Sequence, residues 1–408
     1  MSVELGQLMS DLVPAPRPCT RLRNAALIMA VGGALLSVLA AASEANWVRL
    51  GFGYLWGFTF VWSAALGALF FVALQHLVRA TWSVVVRRVA EMFAVSIWLV
   101  GLLFVPLLIY CFSHLGASLY PWLDAGHVSH DELLLGKRPY LNLPFFAVRA
   151  TVFFGLWSAF AVHFTHSSLR QDVGQDNIQA AMRMRKLSAP FMLIFAFTAT
   201  FASFDWLMSL EPHWSSTIFG VYVFSGMVVT ALSVITIATI WLRSSGRLGS
   251  GVVGDGHLYN LGALLFAFVC FWAYIAFSQY MLIWYSNIPE ESFYLVRRLE
   301  GGWLGVSVAL AAVRFVVPFL ALLSRGAKTN ARRLVWVSGL LLVGQLLDLY
   351  WLIMPQIHTE HPALSWQELG PVLLLLGVFV LFVSHFLKRH LPVPVGDPLL
   401  EESLRFYV

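Results

Sequence analysis

Apolar stretches of about twenty residues recur along almost the whole chain and are separated by short polar segments. Because about 20 residues of α-helix cross the hydrocarbon core of a bilayer, each stretch predicts a transmembrane helix. The pattern predicts an all-α integral membrane protein with a ten-helix transmembrane domain over 25–387, an N-terminal segment over 1–24 and a tail over 388–408. The ten predicted helices are 25–42, 52–76, 91–112, 144–167, 190–210, 216–242, 258–286, 302–324, 334–354 and 369–387.

The composition agrees with this pattern. Of the 408 residues, 59% are hydrophobic and 12% are charged, whereas soluble domains carry about 25% charged residues, so a water-soluble globule is excluded. The net charge of +5 does not indicate nucleic acid binding, because the basic residues lie in short loops between apolar stretches. We expect membrane lipid around the chain and no nucleic acid.

The distribution of basic residues predicts the orientation. With the N-terminus in the cytoplasm, nineteen Lys and Arg residues lie inside and five outside, and Arg149 and Arg314 within helices complete the 26. Cytoplasmic loops carry an excess of Lys and Arg, so both termini are predicted to be cytoplasmic. Two loops are long: an outer loop over 113–143, and an inner loop over 169–189 whose stretch DNIQAAMRMRKL predicts a short basic amphipathic helix at the headgroups.

Ionisable residues within transmembrane helices are costly and need partners. Arg149 and Asp205 each lie five residues from the outer end of their predicted helix, about 7–8 Å below the boundary at 1.5 Å per residue. We therefore expect them to pair, either as a structural ion pair or as part of a quinol or proton site. Glu211 and His213 follow at the outer surface, where they form either a solvated turn or, with Asp205, a proton exit.

A second pair is predicted deeper in the membrane. Arg314 lies near the middle of the eighth predicted helix and Asp348 lies on the ninth, with Gln345 one turn away. A guanidinium at this depth needs a counter-charge, so we expect Arg314 to pair with Asp348. On the seventh helix, Tyr274 and Gln279 extend a polar line toward the outside.

Several titratable residues lie at the inner ends of the helices. Each is either an ordinary interfacial residue or a member of a proton-uptake group, and the set is His76, Glu91, His163, His166 and His257.

Haem and metal binding by this chain alone are not expected. No His pair lies near mid-depth, as a bis-histidine haem would need. The three cysteines, Cys19, Cys111 and Cys270, lack metal-type spacing.

Two long stretches carry a family resemblance. FASFDWLMSLEPHWSSTIFGVYVFSG (Phe201–Gly226) and HLYNLGALLFAFVCFWAYIAFSQYMLIWYSNIPEE (His257–Glu291) resemble the second NrfD-like, polysulfide-reductase-type membrane subunit of alternative complex III, the ActF family. The resemblance extends over most of the chain. Among the residues above it highlights Asp205, Glu211, His213, His257, Tyr274, Gln279 and, in addition, Glu291.

The resemblance implies an architecture and a function. It implies two four-helix bundles, over about 52–210 and 216–354, with the first and last helices peripheral. It implies a respiratory quinol:cytochrome c (or similar acceptor) oxidoreductase in a bacterial cytoplasmic (inner) membrane. The implied partners are a sister NrfD-like subunit and iron–sulfur and cytochrome c subunits, which hold the iron–sulfur clusters and c-type haem. This chain would supply a proton path and a quinone pocket, without redox centres of its own.

Two other functions remain open from the sequence. The pairs Arg149/Asp205 and Arg314/Asp348, one in each half, would also suit a secondary transporter of ions or small solutes. A non-catalytic membrane anchor for extrinsic redox subunits needs only the apolar helices, so it would leave the two pairs as packing devices.

Overall fold

The computed structural model describes residues 18–174, 177–249 and 251–407. Most of the predicted N-terminal segment (1–17) and residues 175–176 of the inner loop lie outside this part. The described residues contain ten helical spans long and apolar enough to cross a membrane, which confirms the predicted fold class. They are α1 Thr20–Ala41, α2 Glu44–Leu77, α3 Thr81–Phe112, α4 Leu143–Gln171, α5 Asn177–Leu210, α6 Phe219–Ser244, α7 Asp255–Ser286, α8 Trp303–Leu322, α9 Ala331–Gln356 and α10 Trp366–Arg389.

The spans form two four-helix bundles and a peripheral pair. In the first bundle α2 packs on α3, α3 on α4, α4 on α5 and α5 again on α2. The second bundle closes in the same way through α6, α7, α8 and α9, and α2 joins the two by packing on α6 and α9. The remaining spans, α1 and α10, pack on each other and against α2, as the two-bundle architecture predicts.

The contact between α1 and α10 depends on glycine. A Cβ on Gly377 would lie 2.4 Å from the backbone nitrogen of Ala30, and a Cβ on Gly33 would lie 2.2 Å from that of Leu374. Small residues let membrane helices approach until their backbones touch, which gains dispersion contacts that lipid cannot replace. The peripheral pair is therefore held by close backbone packing.

Two predicted boundaries at the inner face were wrong. The third span begins at Thr81 and consists of two helices, Val84–Ala94 and Ile97–Phe112. Arg87 and Arg88, expected in a loop, are buried in this span because carboxylates surround them. The basic segment expected as a separate amphipathic helix instead forms the first turns of α5, so its basic residues extend the span beyond the bilayer core.

Short helices cover the two faces. On the outer face they are Gly116–Leu119, Ala125–Ser129 and Glu132–Lys137 between α3 and α4, and Pro289–Leu299, here called the outer helix, between α7 and α8. On the inner face, which carries both ends of the described chain, they are Arg325–Thr329 and Leu400–Leu404. The outer helix lies over the second bundle and positions the cavity described below.

Candidate functional site

The ion pair of the first bundle forms as predicted. Arg149 donates from Nε to Asp205 Oδ2 (2.7 Å) and from Nη2 to Asp205 Oδ1 (2.9 Å). Its Nη1 donates to the carbonyl of Tyr140 (2.9 Å), and the rings of Tyr140 and Phe145 lie 3.9 and 4.3 Å from the guanidinium carbon. Every guanidinium nitrogen has a partner, an arrangement that suits a fixed packing contact.

Aromatic side chains fill the first bundle inward of this pair. Trp206 stacks on Phe154, with ring centroids 5.4 Å apart and an interplanar angle of 10°, and Phe58, Trp62 and Trp157 pack edge-on around it. Tightly packed aromatic rings leave little room for a chain of waters. The members of this aromatic core are Phe58, Trp62, Phe104, Phe154, Trp157 and Trp206.

The ion pair of the second bundle also forms as predicted. Arg314 Nη1 lies 2.9 Å from Asp348 Oδ2 and donates to Gln345 Oε1. Tyr222 of α6, which the sequence analysis did not single out, donates a hydrogen bond to Asp348 Oδ1. The guanidinium carbon lies 4.5 Å from the ring centre of Trp272. The buried carboxylate therefore has a cation on one side and a phenol on the other.

Local sequence makes room for Arg314. This residue lies in a π-helical turn, Ala312–Val316, of a kind frequent at functional sites. Pro318, four residues on, has no N–H to donate to the Arg314 carbonyl, which favours the break in the α-helical pattern. On the facing span α9, a Cβ at Gly344 would lie 2.7 Å from Arg314 Cγ. One donor, Arg314 Nη2, is buried without a hydrogen-bond partner among the described residues.

A cavity of about 630 Å³ lies between α7 and the outer half of α8, Trp303–Ala311. We call it the α7–α8 cavity. Most of its lining is aromatic or aliphatic, and Tyr222 and Trp272 form the wall in front of the Arg314–Asp348 pair. Its lining includes Tyr274 and Phe277, which are 66% and 61% exposed on the lipid-facing side of α7. The structure thus connects a membrane-accessible apolar chamber to a buried carboxylate through one hydroxyl.

The predicted polar line on α7 belongs to the same cavity. Tyr274 and Gln279 both line it; within the described residues neither makes a hydrogen bond to Arg314 or Asp348, so their link to the pair runs through the cavity. Tyr222, the residue that does contact the pair, was missed because a single tyrosine in an apolar helix carries no distinctive spacing.

The outer helix covers the cavity through Tyr294, Leu295 and Leu299. It is anchored by Arg298, which was expected in a loop but is fully buried. Arg298 donates to the carbonyls of Trp351 (3.1 Å), Leu352 (3.1 Å) and Tyr294 (2.9 Å), the first two in the last turns of α9. Burial lowers the pKa of Arg298 and raises the pKa of Tyr294 to about 12.

Glu211 and His213 make contacts with the outer loops. Glu211 Oε1 accepts from Arg297 Nη1 (2.6 Å) and His213 Nε2 lies 2.5 Å from Asp131 Oδ2. The hydrogen bond from His213 holds the pKa of Asp131 below its ordinary value. No contact among the described residues joins Glu211 or His213 to Asp205, so the structure does not bring the three together as one group.

The inner residues fall into two sets. Glu91 is fully buried and its Oε2 lies 3.0 Å from Arg88 Nε. Nearby on the inner half, His76 stacks on Phe164 with ring centroids 5.8 Å apart. The Nε2 atoms of His76 and His163 are buried without partners among the described residues. Buried polar atoms of this kind are usually satisfied by water.

The other two inner histidines differ from these. His257 Nδ1 accepts from the Gly254 N–H (3.0 Å) at the start of α7, and its Nε2 lies 3.0 Å from the Ser403 carbonyl, so Nε2 holds the C-terminal helix against α7. His166 is exposed at the inner end of α4.

Within the described residues, no group of three or more His, Cys, Asp or Glu side chains is placed to hold a metal ion. No model of a known protein family matches the chain, and no curated protein is significantly similar to it.

Proposed function

We propose that this chain is the integral membrane subunit of a respiratory quinol oxidoreductase of the alternative complex III type, and that it binds quinol in the α7–α8 cavity. The observation that carries the proposal is the hydrogen bond from Tyr222, a cavity-lining residue, to Asp348, which pairs with Arg314. The resemblance of Phe201–Gly226 and His257–Glu291 to the ActF family supports it. We place the protein in a bacterial cytoplasmic membrane on the same basis.

The cavity suits the chemistry of a quinol. Ligand pockets commonly enclose about 300–1,000 Å³ and combine apolar walls with a few placed polar groups; the α7–α8 cavity, at about 630 Å³, has this character. Aromatic walls suit a flat ring, and an isoprenoid tail would leave toward lipid past Tyr274 and Phe277. Tyr222 would meet one hydroxyl of the ring directly, and Gln279 would hold the water that meets the other.

The charged residues would accept the proton that the quinol releases and stabilise the resulting charges. Asp348 is the carboxylate nearest the cavity, and Tyr222 lies between the two. The tyrosine hydroxyl accepts a hydrogen bond from a quinol hydroxyl while it donates its own to Asp348, so a proton can pass to the carboxylate as the quinol is oxidised. Arg314 fixes the carboxylate in place and stabilises its charged form. The two electrons leave to iron–sulfur or haem centres in partner subunits.

A secondary transporter is the second candidate. In each bundle the third span carries the arginine and the fourth carries the aspartate, as in Arg149/Asp205 and Arg314/Asp348. Repeat-related polar sites are a feature of many transporters. Against this function, the aromatic core of the first bundle fills the space where a route past Asp205 would run.

Purification from the native membrane in a mild detergent tests the proposal. We expect the chain to co-purify with c-type haem and iron–sulfur subunits, detected by mass spectrometry and a reduced-minus-oxidised spectrum, and the assembly to oxidise quinol. Recovery alone or as a homo-oligomer without haem would overturn the proposal and favour the transporter. If the assembly forms but an Asp348→Asn variant turns over normally, the chain is a non-catalytic anchor.

A further inference from the structure

Gln279 lies between two cavities. Besides the α7–α8 cavity, it lines a second cavity of about 430 Å³ at the outer face, here called the outer cavity, between the ends of α5 and α7. The two cavities differ in character: the first is mainly apolar, while the second includes Ser215, Ser216, Thr217 and Glu291. The lipid-facing chamber and a polar space at the membrane surface therefore share one lining side chain.

The amide of Gln279 has no protein partner among the described residues. The residue is 8% exposed, and its side chain makes no hydrogen bond to any protein group among the described residues. A glutamine amide offers two donors and an acceptor, and burying it without partners costs free energy. Because the side chain lines both cavities, water in those cavities is the available partner.

The carboxylate of Glu291 likewise has no ion-pair partner among the described residues. It has no Lys, Arg or His nitrogen within ion-pair distance among the described residues, unlike Glu211, which is held by Arg297. It is half-buried in the first turn of the outer helix. The hydroxyls of Ser215 and Thr217, also in the lining of the outer cavity, are exposed and make no side-chain hydrogen bonds within the described chain. A carboxylate in such surroundings can exchange protons with the outer aqueous phase.

We propose that the outer cavity is a proton-release vestibule for the α7–α8 cavity, with Gln279 holding the water that bridges the two and Glu291 passing the proton to the outside. The inference rests on the proposed function. When a quinol is oxidised, its two O–H bonds break and two electrons leave to a redox centre of a partner subunit. One proton moves to Asp348 through Tyr222, and the other moves to the water at Gln279 and then to Glu291.

The test uses the assembled complex in liposomes, with Glu291→Gln and Gln279→Leu as the variants. Glu290→Gln is the matched control, because Glu290 is the neighbouring acid of the same helical turn but is exposed and does not line the outer cavity. Neither test substitution removes a protein hydrogen bond, so assembly should be retained. Quinol turnover, proton release reported by a pH-sensitive dye, and equilibrium quinone binding are measured for each.

We expect both variants to bind quinone with an affinity within about twofold of wild type, while turnover and outward proton release fall by about a hundredfold, the lower end of losses in proton transfer. Glu291→Asp should restore most of the rate and shift its pH profile, and Glu290→Gln should be unaffected. If turnover and proton release are unchanged in Glu291→Gln and Gln279→Leu while quinone still binds, the proposed vestibule is wrong but the proposed quinol site stands. Absence of quinone binding by the wild-type complex would instead overturn the proposed function.

Discussion

The hydroxyl of Tyr222 donates a hydrogen bond to the carboxylate of Asp348, and this contact joins the α7–α8 cavity to the buried Arg314–Asp348 pair. In the first bundle, the third group at the ion pair is the backbone carbonyl of Tyr140, which accepts a hydrogen bond from Arg149. The two bundles thus share a charge pair on their third and fourth spans. In the second, the pair lies behind a cavity that faces lipid, and in the first it lies above packed aromatic rings.

Replacing the linking hydroxyl should separate binding from turnover. Tyr222→Phe keeps the aromatic wall of the cavity and removes one hydrogen bond to the quinol, so we expect quinol affinity to fall by no more than about tenfold. Turnover should fall by about a hundredfold or more, because the relay to Asp348 is lost. Steady-state quinol oxidation and equilibrium quinone binding, measured on the same preparation, check both parts.

Tyr54→Phe is the control for this substitution. Tyr54 donates to the Leu103 carbonyl (2.7 Å) in the first bundle, away from the cavity, so the same chemical change should leave turnover unaltered. If Tyr222→Phe turned over like Tyr54→Phe, Tyr222 would not relay protons.

Substitutions of the two aspartates should have different effects on turnover and similar effects on stability. Asp348→Asn and Asp205→Asn each leave a buried guanidinium without its counter-charge, which typically costs about 3–5 kcal/mol. Thermal unfolding in detergent should therefore show a similar loss for both. Turnover per intact complex, normalised to haem, should be lost in Asp348→Asn and retained in Asp205→Asn. A turnover loss confined to Asp205→Asn would assign proton transfer to the first bundle instead.

The sequence predicts a large part of this arrangement. The ten spans follow from hydropathy, and the pairs Arg149–Asp205 and Arg314–Asp348 follow because a charge at membrane depth requires a partner. Their depths can be compared once helix directions are known. The different roles of the two pairs were not predictable, because the cavity beside Asp348 is formed by the tertiary arrangement of α7 and α8.

Other features could not be predicted because tertiary contacts override local signals. Arg87 and Arg88 read as loop residues, but Asp172 and Asp397, distant in sequence, neutralise them inside the fold. Arg298 was likewise predicted to lie in an outer loop. The stretch around it, PEESFYLVRRL, is nevertheless amphipathic, a pattern that predicts a helix.

Arg298 should be important for stability. Arg298→Met removes three hydrogen bonds to carbonyls, including those of Trp351 and Leu352 at the end of α9, and leaves these acceptors buried. Charged hydrogen bonds contribute about 1.5–3 kcal/mol each, so we expect a loss of at least about 3 kcal/mol, seen as a lower unfolding temperature of the purified complex.

The neighbouring arginine provides the control. Arg297 is 32% exposed and pairs with Glu211, and a partly exposed ion pair contributes about 1 kcal/mol or less. Arg297→Met should therefore lower the unfolding temperature far less than Arg298→Met. Equal losses would contradict the capping role of Arg298.

The attachment of the outer loop should depend on pH only in acid. The hydrogen bond from His213 lowers the pKa of Asp131 from an ordinary value of about 3.9. Ionised Asp131 therefore stabilises the docked loop at pH values above the ordinary carboxyl pKa. This stabilisation is lost as the pH falls through the lowered pKa of Asp131. Because neutral imidazole keeps one N–H, the bond can persist at pH 8.

A spin label at Ser129→Cys checks this expectation. Its mobility should stay constant between pH 5 and 8 and rise only below about pH 4, the range in which a carboxyl protonates. In an Asp131→Ala background, which has no side-chain acceptor, the label should be mobile at every pH. Release of the loop between pH 5 and 8 would instead assign the attachment to the charge of His213.

Photoaffinity labelling of the native complex with an azidoquinone tests the central claim most directly. The claim predicts cross-links on α7 within 270–280 and on α8 within 307–315, which line the cavity, and predicts that excess unlabelled quinol abolishes them. Labelling confined to other subunits, or to the first bundle of this chain, would contradict a quinol site in the α7–α8 cavity.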